Sequence, residues 1–455
     1  MPSSNSRADA ESAFIEAACV PLDGGHSSGT LAQAELILAR HPDVAAGSIY
    51  TAAIVADENT VRAFLASDPA GATAKGGPRG WDALTHLCFS RYLRLDKARS
   101  SAFVSTARAL LDAGASANTG WIEIVDHPNP RPVLEAAIYG AAGIAQHEGL
   151  TRLLLEYGAD PNDEETPYHV PETRDNTVLK ILLQSGRLNT SSLNTLLLRK
   201  CDWHDLEGVR LVLEHGGDPN WMTGWGQAAI HQAVRRDNSL ETIGCLLNHG
   251  ADPSLPNREG RSAIVIAASR GRAGALEMFE RGGAAVRLAG TDALIAACAR
   301  DDRETIRVLT AAEPETKAAV IDCGGTLLAQ FSGVGNVAGV RNLLELGVSA
   351  SAVYREGDGY FGIARDSTAL HVAAWRAWPD VVSELIGRGT PVNATDAEGR
   401  TALQLAVKAC VDSYWTERRS PDSVRALLRA GASVAGIELP TGYDEVDELL
   451  RPHFS

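Results

Sequence analysis

Short apolar segments that end in glycine recur along the chain. Each carries Leu, Val or Ile at the i, i+3, i+4 spacing of one helix face, and polar turn residues follow the glycine. The clear copies occupy 107–118, 151–162, 209–220, 243–254, 340–351, 382–393 and 424–435. Their glycines, with two from weaker copies, are Gly114, Gly158, Gly186, Gly216, Gly250, Gly282, Gly347, Gly389 and Gly431. The pattern predicts helices with one buried stripe, each followed by a left-handed glycine.

A second pattern precedes these segments by about 20 residues. It combines Thr or Ser with apolar and small residues, and its copies stand at 165–169, 227–234, 261–268, 291–298, 367–374 and 400–407. A Thr or Ser at this position can cap the free N–H groups of a helix, and the small residues let that helix lie close to its neighbours. Together the two patterns predict units of two short antiparallel helices and an extended connector.

These motifs resemble the ankyrin repeat, and residues 367–406 carry the family pattern almost from end to end. The resemblance covers roughly residues 45–435, as about ten to twelve units, with degenerate units near 165–188, 258–287 and 290–320. It implies an all-α fold, an ankyrin-repeat α-solenoid of helix–turn–helix units with β-hairpin or loop connectors. In such an array each unit contacts only its neighbours.

We predict three parts, which are a flexible N-terminal segment at 1–30, the solenoid at 31–435 and a C-terminal cap at 436–455. Three insertions interrupt the repeat pattern, near 89–105, 353–365 and 410–423. Insertions in repeat arrays collect on one face and often carry function. The sequence leaves open whether these three are functional or are tolerated surface loops.

Composition agrees with such an array and narrows the class of partner. Aromatic residues make up 5% of the 455 residues, which suits helix pairs packed through Ala and Leu. The formal net charge is −15, and an acidic surface repels both phosphate backbones and anionic lipids. We therefore expect no binding to nucleic acid and no binding to a membrane.

The cysteines and the N-terminus predict a cytoplasmic protein. The seven cysteines are odd in number, dispersed and without a CxxC pair, which favours reduced thiols over a disulfide framework. The N-terminus has no basic segment followed by an apolar one, and the chain has no run of about 18 apolar residues.

No catalytic motif is recognisable in the sequence: a P-loop, GxSxG and HExxH are all missing. The strongest metal candidate is the segment 201–205, with Cys201 and His204, and His215 nearby. Zinc sites need more ligands than this at tight spacing, so we predict neither a metal nor a cofactor. The ankyrin resemblance implies structural hydrogen-bonding roles for His169, His231 and His371.

An alignment of the units with one another suggests a binding groove. In the ankyrin family two positions after the small residues of the first helix face the concave side. By this resemblance the groove is lined by Tyr139, Trp203, Arg235, Arg236, Arg270, Arg300, Trp375 and Arg376, followed by Trp378. Arg and Trp are enriched in binding hot spots. Neighbouring arginines would form a basic stripe in an acidic molecule, suited to an acidic peptide or to a carboxylate- or phosphate-bearing ligand.

The connector tips add Trp221 and Trp225 on either side of a glycine turn. Packing between adjacent hairpins and contact with a partner both remain open for these two side chains.

The function we predict is a non-enzymatic scaffold that binds a protein or peptide partner in the concave groove. One alternative is an enzyme or small-ligand-binding protein that uses the groove, with Asp202, His204 or Glu417 as acid–base groups. Another is an inhibitor that caps the active site of a partner enzyme. The oligomeric state is left open.

Overall fold

The chain divides into two compact units, Met1–Ala229 and Ile230–Ser455. A computed structural model describes residues 4–125 and 130–454 of the chain, with side chains from residue 7 onward. Helix accounts for 58% of the chain and strands are few, as the predicted all-α solenoid requires. Within the described ranges, no helix is both long enough and apolar enough to cross a membrane.

Unit 1 (Met1–Ala229) is built from two rows of helices. Its helices are α1 Ser4–Ala18, α2 Ala32–Arg40, α3 Ile49–Ile54, α4 Glu58–Ser67, α5 Ala83–Cys88, α6 Arg91–Leu95, α7 Ser100–Asp112, α8 Ala137–Tyr139, α9 Glu148–Glu156, α10 Glu165–His169, α11 Thr177–Gln184, α12 Thr190–Asp202 and α13 Leu206–Glu214. In one row α3, α5, α8, α10 and α12 pack in succession, and in the other α4, α7, α9, α11 and α13 do so. A π-helical turn, Gly140–Ile144, extends α8.

Unit 2 (Ile230–Ser455) also consists mainly of helix pairs. Its helices are α14 Ala229–Arg235, α15 Leu240–Asn248, α16 Ala263–Ser269, α17 Ala273–Arg281, α18 Gly290–Ala299, α19 Arg303–Ala312, α20 Pro314–Asp322, α21 Gly324–Gly333, α22 Val337–Leu346, α23 Ala369–Trp375, α24 Pro379–Gly387, α25 Ala402–Asp412, α26 Asp422–Arg429 and α27 Asp444–Leu450. Helices α21, α23 and α25 pack in one row, and α22, α24 and α26 in the other. Between α3 and α26 the described residues form eleven successive helix pairs, within the predicted ten to twelve.

One connector in unit 2 is helical where the repeat pattern predicts an extended segment. Helix α20 follows α19 directly and packs against α18, α21 and α22. Pro314 is its first residue, a position where the missing N–H of proline leaves no hydrogen bond unmade. This extra helix explains why the repeat near 290–320 is degenerate in sequence.

Strands occur only in connectors of the described residues. They are β1 Gly120–Val125, β2 Arg131–Ala136, β3 Val353–Tyr354 and β4 Ser367–Thr368, paired β1 with β2 and β3 with β4, both antiparallel. In the first hairpin Trp121 lies opposite Glu135, and Ile122 lies opposite Leu134. Because side chains alternate along a strand, the first pair is buried and the second is exposed.

The N-terminal segment 1–30 is not the flexible segment that we predict. Residues 1–3 lie outside the described part, but helix α1 packs against α2 and α3. Its apolar residues Phe14, Ile15 and Ala18 share one face and are fully buried. The sequence pattern does not predict this helix, because its first half is polar and its buried residues are confined to the last two turns.

The three insertions are packed elements and not loose loops. Each buries an aromatic side chain: Tyr92 in the first, Phe361 in the second and Trp415 near the start of the third. The Tyr92 hydroxyl donates to Glu35 Oε1 at 2.6 Å. Burial of a ring in each insertion gives it a fixed place in its unit.

The segment predicted as a C-terminal cap contains α27, which packs against α26. Val446 and Leu450 of this helix are fully buried. Asp447 accepts hydrogen bonds from the backbone N–H and the hydroxyl of Thr441, at 2.8 and 2.6 Å.

The helix-ending glycines are confirmed with one shift of position. Positive φ angles are found at Gly114, Gly158, Gly186, Gly216, Gly250, Gly347, Gly389 and Gly431. Gly282 has φ −75°, and the next residue, Gly283, takes the left-handed conformation at φ 89° instead.

We expect Gly389→Ala to lower the free energy of unfolding by about 1 kcal/mol, because alanine is strained at φ 80°. A Cβ atom there would meet no atom within 4 Å, so the loss of stability would come from the backbone conformation and not from a steric clash. Gly387→Ala is the matched control, since Gly387 ends α24 with equally open space and no positive φ. It should be neutral or stabilising by up to about 1 kcal/mol. Urea denaturation followed by circular dichroism measures both, and equal losses would contradict the assignment.

Candidate functional site

An aspartate in unit 2 holds two buried arginines. Asp237 follows α14, while Arg270 and Arg376 come directly after α16 and α23. Asp237 Oδ1 accepts from Arg270 Nε at 2.9 Å, and Oδ2 accepts from Arg270 Nη2 at 3.0 Å and from Arg376 Nη2 at 3.2 Å. Burial alone would raise the pKa of Asp237, but the charges of the two guanidinium groups outweigh it and hold this pKa at about 2.

The second and third insertions cover these arginines. The Phe361 ring centre lies 4.0 Å from Arg376 Cζ and 5.2 Å from Arg270 Cζ, and the Trp415 ring centre lies 4.5 Å from Arg376 Cζ. Trp375 Nε1 donates to the Phe361 carbonyl at 2.6 Å, and Trp415 Nε1 donates to the Trp375 carbonyl at 3.1 Å. We call these residues the arginine–aromatic cluster: Asp237, Arg270, Phe361, Trp375, Arg376 and Trp415.

The predicted groove contacts at Arg270, Trp375 and Arg376 are therefore wrong. Their exposed fractions are 8%, 7% and 4%, which leaves no surface for a partner. The predicted basic stripe is also wrong here, because the charges are paired with Asp237 and covered by aromatic rings. The repeat alignment places these residues correctly at the ends of their helices but carries no information about what the insertions cover.

Two more predicted groove residues are half-buried against the same insertions. Arg236 Cζ lies 3.6 Å from the ring centre of Tyr360 in the second insertion. Trp378 Nε1 donates to the Gly333 carbonyl at 2.8 Å, and Arg418 of the third insertion lies 4.3 Å from the Trp378 ring.

The remaining predicted arginines differ in exposure. Arg235, at the end of α14, is exposed. Arg300 is half-buried and its Nη1 lies 2.9 Å from Glu280 Oε1. A role of Arg235 or Arg300 in partner binding stays a prediction.

Tyr139, in unit 1, is 2% exposed and does not face a groove as predicted. Its hydroxyl lies 3.0 Å from His26 Nδ1, and His26 also faces two carboxyl groups of the first hairpin. His26 Nε2 lies 3.3 Å from Glu123 Oε2, and Nδ1 lies 3.8 Å from Glu135 Oε2. Burial lowers the pKa of His26, while burial and then the charges of Glu165 and Glu123 raise the pKa of Glu135 to about 8.

Three tryptophans of unit 1 are exposed, and all of them lie between residues 203 and 225. Trp203, Trp221 and Trp225 have exposed fractions of 41%, 39% and 53%. The buried tryptophans, by contrast, are Trp81, Trp121, Trp375 and Trp415. A large ring exposed to water is unfavourable, so a concentration of three in one short stretch points to a contact surface.

Tyr168 extends this exposed region. Its ring centre lies 5.7 Å from that of Trp225, and Arg199 Cζ lies 4.0 Å above the Tyr168 ring. Arg199 is fixed by Glu172 Oε1 and Asp202 Oδ2, each at 2.8 Å. We use the name aromatic surface for Tyr168, Trp203, Trp221 and Trp225, of which Tyr168 and Trp225 are in ring contact.

The repeats that carry the aromatic surface are acidic. Residues 148–229 hold thirteen Asp and Glu against seven Lys and Arg. Glu165 and Glu172 each lie 3.2 Å from a ring nitrogen of His169. Burial would lower the pKa of His169, but these two carboxylates outweigh it and raise the pKa to about 9. His169 therefore has a structural role within its own unit, as an ion-pair and hydrogen-bond partner of Glu165 and Glu172.

The other two repeat histidines have the predicted structural role. His231 Nε2 lies 2.7 Å from the carbonyl of Leu255, in the following connector. His371 Nε2 lies 3.0 Å from the carbonyls of Ala394 and Arg400, and its Nδ1 accepts from the Thr368 backbone N–H at 3.1 Å. Both bridge a helix to the connector that follows.

The catalytic and metal candidates predicted from the sequence lie in different local environments. Cys201 is buried, and His215 Nδ1 lies 2.8 Å from the Leu211 carbonyl. Asp202 is held by Arg199, and Glu417 is exposed in a 3₁₀ turn of the other unit. In the part of the chain that the structure describes, one group of His, Cys, Asp and Glu side chains could hold a metal ion, and it is His26, Glu123 and Glu135.

Two family models match part of the chain. A family model described as ankyrin repeats (3 copies) matches residues 197–284 and 230–320, and a single ankyrin-repeat model matches residues 365–397. A crystal structure of the human ASB11 ankyrin repeat domain matches with 22% identity and a TM-score of 0.23, over 52% of this chain and 99% of that one. No curated protein matches significantly. Ankyrin repeats are generally protein–protein interaction modules, and the chain is an ankyrin-repeat protein.

Proposed function

We propose that the chain is a non-enzymatic binding module for a protein or peptide partner and that the partner contacts the aromatic surface. One observation carries this proposal: the exposed tryptophans of unit 1 are confined to residues 203–225. Tryptophan and tyrosine supply much of the binding energy at protein interfaces, because they bury a large area with few rotatable bonds.

The family supports the class of function. Ankyrin-repeat proteins are typically non-enzymatic binding scaffolds. Of the acid–base residues of the enzymatic alternative, Asp202 is already paired with Arg199, and Glu417 is exposed in a 3₁₀ turn. An inhibitor that caps a partner enzyme would be a special case of the binding proposed here.

The charge around the aromatic surface favours a partner with basic side chains. Carboxylates outnumber basic groups in these repeats, and the arginine nearest to Tyr168 is already paired with Glu172 and Asp202. Complementary charge speeds association and selects the partner. This replaces the acidic peptide predicted from the arginines of unit 2, since Arg270 and Arg376 are buried and paired.

The compartment proposed for this binding is the cytoplasm. Most of the cysteines in the described residues are buried. Free thiols in a chain of this size suit a reducing compartment.

Selection of peptides from a random library on the full chain tests the proposal. We expect selected peptides to combine apolar residues with Lys or Arg, and their affinity to fall at least tenfold in Trp225→Ala, because hot-spot aromatics contribute about 2 kcal/mol or more. Tyr414→Ala is the matched control, since Tyr414 is 83% exposed but lies in unit 2. Selection of acidic peptides would refute the charge preference. Unchanged affinity in a double Trp203→Ala, Trp225→Ala variant would refute the surface.

A further inference from the structure

We propose that His26, Glu123 and Glu135 form a binding site for a divalent transition-metal cation such as Zn²⁺. This site goes beyond the proposed protein-binding function and does not depend on it. It lies in unit 1, and it joins the segment between α1 and α2 to the first β-hairpin.

The hairpin register brings the two carboxyl groups together. Glu135 lies opposite Trp121, and Glu123 follows two residues after Trp121 on the same strand. Since side chains alternate along a strand, Glu123 and Glu135 project from the same face as diagonal neighbours. His26 lies against this face, with its ring centre 5.6 Å from the ring of Trp121.

The distances between the ligand atoms suit one small cation. His26 Nε2 lies 3.3 Å from Glu123 Oε2, and one ligand atom from each of the three side chains lies within 4.8 Å of the others. Ligands bound tetrahedrally to Zn²⁺ at about 2.0–2.1 Å are about 3.3 Å apart. A modest approach of Glu135 would therefore complete three ligands, which leaves one position for water or another ligand.

Two buried polar atoms of this group lack a hydrogen bond within the protein. His26 is 9% exposed and Glu135 is 1% exposed. His26 Nε2 and Glu135 Oε2 are both buried without a hydrogen bond. A buried polar atom without a hydrogen bond destabilises the fold by about 1–3 kcal/mol, and two such atoms belong to this one group of side chains. One cation between them would satisfy both at once, together with the Glu123 carboxylate.

The surroundings of His26 match those of a metal ligand. Its Nδ1 lies 3.0 Å from the Tyr139 hydroxyl, which is 2% exposed and can accept the Nδ1 proton. A second partner of this kind orients a ligating imidazole and leaves Nε2 with its lone pair toward the metal.

One carboxylate of the site borders a cleft. Glu123 lines a cleft of about 460 Å³, together with Asp23, Trp81 and Trp121.

One imidazole and two carboxylates form a mixed nitrogen and oxygen ligand set, which favours Zn²⁺ and neighbouring transition metals over Ca²⁺ or Mg²⁺.

Zinc titration of the tag-free full chain, stripped with a chelator and monitored with a chromophoric competitor, tests the site. We expect one Zn²⁺ to bind per chain, and the affinity to fall at least tenfold in both Glu135→Gln and His26→Gln. The matched controls are Glu164→Gln and His41→Ala, since these side chains are exposed and lie outside the site. Both controls should bind zinc as the unmodified chain does.

Thermal unfolding with and without Zn²⁺ separates a lost site from a lost fold. Glutamine has the shape of a protonated glutamate, so Glu135→Gln should retain the helical circular dichroism spectrum. Zn²⁺ should raise the melting temperature of the unmodified chain and leave that of Glu135→Gln unchanged. The absence of stoichiometric zinc binding in the unmodified chain would overturn the proposal. Equal binding by the unmodified chain and by folded Glu135→Gln and His26→Gln would do so as well.

Discussion

Replacement of Asp237 by Asn should lower the free energy of unfolding by about 3–5 kcal/mol, because it removes the carboxylate that is hydrogen-bonded to two buried guanidinium groups. Asp358 Oδ2 lies 4.0 Å from Arg270 Nη1, beyond hydrogen-bond distance, and cannot take its place. Arg270 and Arg376 are 8% and 4% exposed, and Asp237 is the carboxylate that both of them contact. Asn is the informative substitution, since Asp237 has φ 56° and Asn tolerates the left-handed region as Asp does. The loss of stability then measures the effect of removing the charge and not the effect of backbone strain.

The pH dependence of stability provides an independent check of the interaction between Asp237 and the two arginines. The pKa of Asp237 is held at about 2 in the folded chain, below its ordinary 3.8. A carboxylate whose pKa is lowered by folding contributes its full stability above the unfolded pKa and loses it as the pH falls through the folded pKa. The difference between the unmodified chain and Asp237→Asn should therefore shrink between about pH 4 and pH 2.

Chemical denaturation followed by tryptophan fluorescence measures this loss, because Trp375 and Trp415 belong to the same cluster. Asp412→Asn is the control, since the Asp412 side chain is 72% exposed and its one ion pair is long, at 4.0 Å. It should change stability by less than about 0.5 kcal/mol. A loss below about 1 kcal/mol in Asp237→Asn would show that the arginines do not depend on this carboxylate.

Truncation of Trp415 to alanine should lower the free energy of unfolding by about 3–5 kcal/mol, the usual range for a large buried aromatic residue. Trp415 is 8% exposed, packs against Trp375 at 5.5 Å between ring centres and covers Arg376. Its removal leaves a cavity and exposes a guanidinium group that the third insertion otherwise shields.

The neighbouring residue is a close control for Trp415. Tyr414 is 83% exposed, so Tyr414→Ala should change stability by less than about 0.5 kcal/mol. Hydrogen exchange of residues 353–365 extends the test, because Trp375 joins the two insertions through its bond to the Phe361 carbonyl. Exchange there should accelerate in Trp415→Ala. Equal stabilities of the two variants would indicate that the third insertion is a surface loop after all.

The repeat itself could be predicted from sequence because its determinants are local. Leucine spacing and a following glycine specify a helix and its end within about a dozen residues. The sequence did not predict helix α20, because it replaces a connector of the repeat. It did not predict helix α1 either, because the apolar stripe of α1 is short and preceded by polar residues.

The candidate surfaces could be predicted only in part. Trp203, Trp221 and Trp225 are exposed, as a contact role requires. Their prediction rested on residue type and on position within a repeat. Trp375 and Arg376 occupy the equivalent positions of a later repeat, yet they are buried. The difference lies in two insertions, whose packing against the repeats cannot be read from either repeat alone.

The sequence by itself determined the helix pairs, their left-handed glycines and the ankyrin family, because each depends on interactions between residues near one another in the chain. Tertiary structure alone decided which arginines are paired, which tryptophans remain exposed and that His26 meets Glu123 and Glu135. Those contacts join residues from about ten to well over a hundred positions apart, and their energies depend on burial and distance. Neither quantity exists until the chain has folded.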